Sequence, residues 1–172
     1  SSVTIGATTT HATVARSAEV QKAIPALAEL AGGIGDQMVR NVGTIGGSIA
    51  NADPAACYPA AVLGLGATIN TDRRSIAADS FFTGMYETAL QPGELIVSVS
   101  FPIPQKAAYI KYKQPASRFA LVGVFVAQTA GGVRVGVTGA ASSVFRAKPL
   151  EDALAKSFTA DSCRIEVWNV GM

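Results

Sequence analysis

The sequence contains few of the residues that bind metal ions. Its 172 residues include two cysteines, Cys57 and Cys163, and one histidine, His11. Structural zinc sites and iron–sulfur clusters use about four such ligands close together, whereas these three are widely spaced. The sequence therefore predicts no metal site, and any redox chemistry must come from an organic cofactor. Two distant cysteines are typical of free thiols in a cytoplasmic protein, with a disulfide between them as the alternative.

Charged residues are also scarce, and the two signs nearly balance. Charged side chains make up 15% of the chain, and 14 Lys and Arg against 12 Asp and Glu leave a net charge of +2. The longest basic run is Arg73-Arg74, so there is no basic stripe for nucleic acid. No segment approaches about 20 uninterrupted apolar residues, which excludes a predicted membrane span. The 49% hydrophobic content indicates a folded chain rather than a disordered one.

The first part of the sequence has the pattern of a mixed α/β structure. Helical spacing and capping residues predict helices at residues 11–17, 20–31 and 54–65, the last beginning at Pro54 after Asp53 as N-cap. Alternation and turn residues predict strands at residues 3–6, 67–71, 75–77 and 94–101. Residues 37–41 are predicted to be extended, and residues 41–48 contain too much glycine for a helix.

The second part has the pattern of an antiparallel sheet with a helix. Strands are predicted at residues 108–114 and 119–128, and a hairpin turn at Ala130-Gly131-Gly132 leads into an alternating valine strand. A helix follows at residues 150–157. Pro102 and Pro104 separate the two parts, which predicts an α+β protein with domains at residues 1–104 and 105–172.

A glycine-rich segment, Thr44-Ile45-Gly46-Gly47-Ser48, is the strongest candidate for a binding site. Two adjacent glycines lack Cβ atoms, so successive backbone amides could converge on an anion, and the flanking hydroxyls could add donors. This arrangement suits a pyrophosphate better than a metal ion. A Gly-Gly pair is also typical of a turn or bulge, and the segment matches neither a Rossmann fingerprint nor a P-loop.

The wider context of this segment resembles a known family. Residues 40–56 are similar to the second FAD-binding segment of the flavoprotein (medium) subunits of molybdenum hydroxylases, the xanthine dehydrogenase and carbon monoxide dehydrogenase family. Residues 5–11, residues 81–96 and the segment Lys111-Tyr112-Lys113-Gln114 resemble further parts of these subunits in the same order. The similarity extends over roughly residues 3–155, and four ordered segments are more specific than one.

The resemblance implies a fold and a set of cofactor contacts. The fold would be the second part of a vanillyl-alcohol-oxidase-type FAD-binding domain, followed by an antiparallel-sheet-plus-helix flavoprotein C-terminal domain. Residues 44–48 would contact the FAD phosphates, and Ile96 and Ile34 would be apolar contacts of the cofactor. Lys113 would donate to FAD, since a nearby cation favours the electron-rich reduced flavin.

Two departures from the family pattern stand out. Cys57 occupies the position where the family has a carboxylate that binds FAD. A thiol is a weaker hydrogen-bond partner, so Asp53 is the nearby residue that could substitute. We expect Cys57 itself to be packing rather than a redox thiol. The family's first glycine loop is absent, and the sequence after Asp161 is atypical, so we expect an N-terminally truncated chain.

The resemblance also implies a function within a complex. A molybdopterin-containing large subunit would oxidise the substrate, and an iron–sulfur (2Fe–2S) small subunit would pass electrons to the FAD of this subunit. The acceptor would be NAD or a quinone. An alternative is a truncated assembly module that binds FAD weakly or not at all. An independent FAD oxidase of the wider superfamily is a weaker hypothesis, because the downstream segments resemble the hydroxylase C-terminal domain instead.

Overall fold

The computed structural model describes residues 1–163 of the chain, which form an α+β structure. The atypical segment after Asp161 lies outside the described residues from position 164 onward. The helices are α1 (His11–Arg16), α2 (Ala18–Ala23), α3 (Pro25–Gly32), α4 (Gln37–Val42), α5 (Ile45–Asn51), α6 (Tyr58–Leu65) and α7 (Lys148–Lys156). The strands are β1 (Ser2–Gly6), β2 (Thr68–Thr71), β3 (Ser75–Ala77), β4 (Phe82–Gly84), β5 (Glu87–Thr88), β6 (Ile96–Pro102), β7 (Lys106–Lys113), β8 (Ala120–Thr129), β9 (Gly132–Thr138) and β10 (Phe145–Arg146).

The strands of the first part form a four-stranded antiparallel sheet in the order β1-β6-β2-β3. Its register places Ile5 opposite Val99, Val99 opposite Ile69 and Ile69 opposite Ile76. All four side chains are buried, so one row of aliphatic residues crosses the whole sheet. Because alternate residues of a strand face the same side, the alternation in the sequence was sufficient to predict these strands, and the prediction is confirmed.

The second four-stranded sheet has the order β10-β9-β8-β7 and is also antiparallel. The predicted hairpin is confirmed: β8 and β9 pair up to Thr129 and Gly132, and Gly132 has a φ of 108°, which favours glycine. Helix α7 covers part of this sheet, where Leu154 packs with Val135 and Val137. This helix begins two residues earlier than predicted because Pro149 fits its first turn.

Helix α6 lies between the two sheets and is buried along its whole length. A Cβ on Gly64 would stand 2.8 Å from Phe125 Cδ1, and a Cβ on Gly136 would collide with the Ala60 carbonyl oxygen. The glycines therefore allow the helix to lie directly on β8 and β9. Residues of both sheets and of α6 belong to one continuous apolar core.

Three predictions for the helical region are wrong. Residues 20–31 form two helices, α2 and α3, because Pro25 lacks an amide hydrogen and begins a new helix. Residues 37–41 belong to helix α4, where the Asp36 side chain accepts the Val39 amide at 2.9 Å. The helix predicted from Pro54 begins only at Tyr58, because Asp53 accepts the Ala55 amide at 2.8 Å and forms a turn instead.

Candidate functional site

The glycine-rich segment forms the start of helix α5, which corrects the prediction that it is not helical. Thr44 is the N-cap, and its Oγ1 accepts the Gly47 amide at 3.1 Å. The Ile45 amide donates to the Thr9 carbonyl at 3.0 Å, the Gly46 amide to the Ala7 carbonyl at 2.8 Å, and the Ser48 amide to the Thr44 carbonyl at 3.0 Å. These amides therefore already have partners within the chain, and the contacts of residues 44–48 with a phosphate stay a prediction.

A cleft with a mixed lining opens beside the other end of α5. Its apolar walls include Ile34, Val39 and Phe119, while Ser48 and Asp53 contribute oxygen atoms. The cavity has a volume of about 210 Å³, below the roughly 300–1,000 Å³ of typical small-molecule sites. It is therefore large enough for one portion of an extended cofactor rather than for the whole of it.

Cationic groups line the same cleft from strand β7 and from the turn that follows it. Lys111 Nζ donates to the Gly33 carbonyl at 2.7 Å and to the Arg118 carbonyl at 3.1 Å, and it lies 3.3 Å from Cys57 Sγ. Arg118 also lines the cleft. With Asp53 as the facing carboxylate, the charged lining carries a net charge of +1, which favours an anionic ligand.

His11 forms part of the cleft wall at the first residue of α1. It is 5% exposed, its ring centroid is 5.3 Å from that of Tyr58, and its buried Nδ1 has no hydrogen-bond partner among residues 1–163. Burial lowers the pKa of His11, and the positive charge of Arg40 lowers it further. The imidazole is therefore neutral at neutral pH and keeps one unused hydrogen-bonding position.

The structure brings together four of the ten residues predicted for the site: Ile34, Ser48, Asp53 and Cys57 line the cleft. The remaining six lie elsewhere. Ile45 and Gly46 are buried in the packing of α5, Thr44 and Gly47 lie at its start, Ile96 is partly buried at the start of β6, and Lys113 lies in an adjoining depression next to Arg40 and Arg118.

The sequence interpretation missed three titratable residues of the cleft, His11, Lys111 and Arg118, and the polar residues Asn51 and Ser117. One sequence feature indicates Lys111: it lies two residues before Lys113 in the same predicted strand, and side chains two residues apart face the same side of a strand. A register shift between Tyr112 and Lys113 interrupts this alternation, so the two lysines line different depressions. His11 and Arg118 lie in segments whose placement depends on tertiary contacts, and no local pattern indicates them.

Within residues 1–163, no helix is long and apolar enough to cross a membrane, and no group of three or more His, Cys, Asp or Glu side chains is arranged to hold a metal ion.

The chain is similar in sequence to subunits of several dehydrogenases. It is 34% identical over 160 residues to the glyceraldehyde dehydrogenase medium chain of Sulfolobus acidocaldarius. The aligned region covers 87% of this chain and 57% of that protein. It is 34% identical over 175 residues to the carbon monoxide dehydrogenase medium chain of Hydrogenophaga pseudoflava, and this alignment covers 94% of this chain and 61% of that protein. The chain thus spans about three fifths of the length of these relatives.

The fold is also that of a solved member of this group. Carbon monoxide dehydrogenase from Hydrogenophaga pseudoflava, in a form that lacks the Mo-pyranopterin moiety of the molybdenum cofactor, superposes with a TM-score of 0.86 at 35% identity. The match covers 94% of this chain and 61% of that one. The profile described as "FAD binding domain in molybdopterin dehydrogenase" matches residues 1–104. The chain belongs to this family, whose cofactor is FAD.

Proposed function

We propose that the chain is part of the FAD-binding, electron-transfer subunit of a molybdenum-containing hydroxylase or dehydrogenase, and that the cleft at Lys111 holds part of the FAD. The observation that carries the proposal is this cleft, whose cationic and apolar walls lie in a chain of an FAD-binding family. A flavin nucleotide combines an apolar ring with an anionic diphosphate, which is the combination that the lining offers.

The residues of the cleft fit such a cofactor. Lys111 and Arg118 would balance the phosphate charge, the Ser48 hydroxyl would donate, and Ile34 and Phe119 would contact an apolar ring. The unused Nδ1 of His11 would find a partner in a bound ligand. Bound FAD would supply the two-electron redox chemistry, while the protein positions the flavin and tunes its charge environment.

The other predicted contacts remain part of the proposal. Thr44 and Gly47 lie at the start of α5, where Gly47 is exposed and allows a close approach to the backbone. Ile96 would contribute an apolar contact, and Lys113 a charge at the adjoining depression. Ile45 and Gly46 would pack beneath this surface, because both are buried.

The proposed complex contains a molybdopterin-containing large subunit and a 2Fe–2S small subunit, with NAD or a quinone as the electron acceptor. In support, several relatives are named as medium chains, and one is named as a subunit of the 6-hydroxypseudooxynicotine dehydrogenase complex of Paenarthrobacter nicotinovorans. A cytoplasmic location is part of the same proposal, supported by the free thiol of Cys57.

Two observations favour the second candidate, an assembly module with weak or no FAD binding. The amides of residues 45–48 already donate hydrogen bonds within the chain. They cannot donate to a diphosphate unless these hydrogen bonds break. Cys57 also offers a thiol at the position where the resemblance to the family implies a carboxylate. On this alternative the cleft would be a remnant of the cofactor site, and the chain would contribute contacts to the complex alone.

A titration of the purified chain with FAD tests the proposal. We expect bound flavin in the visible spectrum and quenching of the fluorescence of added FAD, with saturation at one FAD per chain. Arg118→Gln should weaken binding about tenfold by removing a charge-assisted contact, whereas Arg73→Gln, in the β2–β3 turn, should not. A folded chain that stays colourless and does not quench FAD would support the assembly module instead.

A further inference from the structure

The thiol of Cys57 lies in the wall of the cleft, beside a cation. We propose that Cys57 is a modification site, at which its thiolate, stabilised by the Lys111 ammonium, forms a mixed disulfide with a small disulfide-bearing molecule. We further infer that this modification and bound FAD exclude each other, and this second part rests on the proposed FAD site.

The position of the sulfur limits which molecules can reach it. Cys57 directly precedes helix α6 and is 6% exposed. It lines the cleft, so a reagent must enter the cavity of about 210 Å³ to reach Sγ. Small aliphatic disulfides fit this space, whereas a protein thiol would be excluded by the surrounding walls.

Lys111 supplies the charge that a reactive thiol needs. Its Nζ is 3.3 Å from Cys57 Sγ, and two carbonyl oxygens, of Gly33 and Arg118, fix the ammonium there. The thiolate is the nucleophile in disulfide exchange, and a neighbouring Lys favours it. Lys106 makes a suitable comparison because it carries the same charge on the same strand but is exposed at the start of that strand.

The aromatic neighbours of the sulfur do not compete for this role. Burial raises the pKa of Tyr109, and the adjacent Cys57 raises it further. Burial likewise raises the pKa of Tyr58, again with a contribution from Cys57. Both phenols are therefore neutral at any pH at which the thiol reacts, and the ammonium of Lys111 is the group that can balance a negative sulfur.

A second observation indicates that the same space receives a ligand. His11 is 5% exposed, lines the cleft and leaves its buried Nδ1 without a partner among residues 1–163. A buried polar atom without a hydrogen bond is costly unless a ligand or water satisfies it. The wall of the cleft therefore contains both the sulfur and a residue with an unused hydrogen-bonding atom.

The reaction is thiol–disulfide exchange. The Cys57 thiolate attacks one sulfur of the small disulfide, a new S–S bond forms and the original S–S bond breaks. The departing thiolate takes the electron pair and gains a proton from solvent. The small disulfide is reduced by one thiol equivalent while Cys57 is oxidised to the mixed disulfide, and a thiol reductant reverses the step.

The test uses cystamine and a Cys163→Ser background, so that Cys57 is the remaining thiol. Mass spectrometry should show one cysteamine adduct, at a rate that falls about tenfold in Lys111→Met and stays unchanged in Lys106→Met. Lys111→Arg retains the charge and should keep the rate within about twofold, which separates loss of charge from misfolding. The absence of an adduct, or equal rates in Lys111→Met and the parent, would overturn the modification site.

A second measurement separates the modification site from the proposed function. FAD binding is first established by fluorescence, and the cystamine rate is then measured with saturating FAD. Protection by FAD, together with loss of FAD binding after modification, supports mutual exclusion. If FAD binds but does not protect, mutual exclusion is wrong and the proposed function stands. If FAD does not bind and labelling still depends on Lys111, the proposed function is wrong and the modification site stands.

Discussion

Gly46 packs directly against Ala7: its amide donates to the Ala7 carbonyl at 2.8 Å, and a Cβ built on Gly46 would stand 2.5 Å from the Ala7 Cβ. Real Cβ atoms do not approach one another so closely. The first glycine of the doublet therefore allows α5 to contact the connection between β1 and α1. Its role in this structure is packing, and the second glycine, which is exposed, is the one that a ligand can approach.

We predict that Gly46→Ala destabilises the protein by about 1–3 kcal/mol, the usual cost of an extra methyl group in a well-packed site. Gly32→Ala, at the end of helix α3, is the matched control, since its Cβ would meet the nearest atom, Ala15 Cβ, at 3.8 Å. We expect the control to change stability by less than about 1 kcal/mol, because alanine favours the helix. Urea denaturation of both variants measures the difference, and equal stabilities would contradict the packing role.

The longer strands could be predicted from the sequence, whereas helices α4 and α5 beside the cleft could not. Val99 and Phe101 alternate with Ser98 and Ser100 in β6, and this local pattern is sufficient to predict the strand. Helix α5 consists of Ile-Gly-Gly-Ser-Ile-Ala-Asn, whose two glycines disfavour a helix on propensity alone. It forms because Thr44 caps it and the carbonyls of Ala7 and Thr9 accept its first amides. Such tertiary partners cannot be identified from local sequence.

The cleft could be predicted only in part for a related reason. The resemblance to the family indicated Ile34, Ser48, Asp53 and Cys57, which the fold does bring together. Hydrogen bonds hold the Lys111 ammonium in the cleft, and their acceptors are the carbonyl oxygens of Gly33, 78 positions earlier in the chain, and of Arg118, seven positions later. Contacts over such separations depend on the packing of α3 against β7, which no motif encodes.

Glu94 should give the protein a stability that is lost in acid. Arg74 bonds to its buried carboxylate, as do the Gln91 amide and the Thr71 hydroxyl, and together they lower its pKa from 4.5 to about 2. A carboxyl with a lowered folded-state pKa stabilises the protein above its unfolded value, and this contribution disappears as the pH falls towards the folded value.

We therefore predict that Glu94→Gln lowers the urea midpoint at neutral pH, and that the gap from the parent narrows between about pH 4.5 and pH 2. Glu87→Gln, at an exposed carboxyl of β5, is the control and should follow the parent at every pH. A gap for Glu94→Gln that stays constant down to pH 2 would show that the carboxylate charge is not the cause.

The packing of α6 on β9 gives a third prediction. A Cβ on Gly136 would collide with the Ala60 carbonyl oxygen, and backbone cannot move aside as a side chain can. Gly136→Ala should cost at least about 3 kcal/mol, the upper end of overpacking effects. Gly131→Ala is the control because its Cβ would meet the nearest atom, Thr129 Oγ1, at 3.8 Å. A thermal melt of Gly136→Ala that matches the control would mean that α6 does not lie directly on this strand.

The last prediction concerns the carboxylate that the resemblance to the family implies at position 57. An aspartate there would face the Lys111 ammonium, which is 3.3 Å from the present sulfur, and it would offer a charged acceptor to bound FAD. If the cleft holds FAD as proposed, Cys57→Asp should bind FAD about five- to tenfold more tightly, the gain typical of one charge-assisted hydrogen bond. Cys57→Ser, which is polar but uncharged, should stay within about twofold of the parent by the same measure. Fluorescence titration measures the FAD affinity of both variants and of the parent, and a thermal melt shows that each variant is folded. Equal affinities for the two variants would mean that no charge at this position reaches the cofactor.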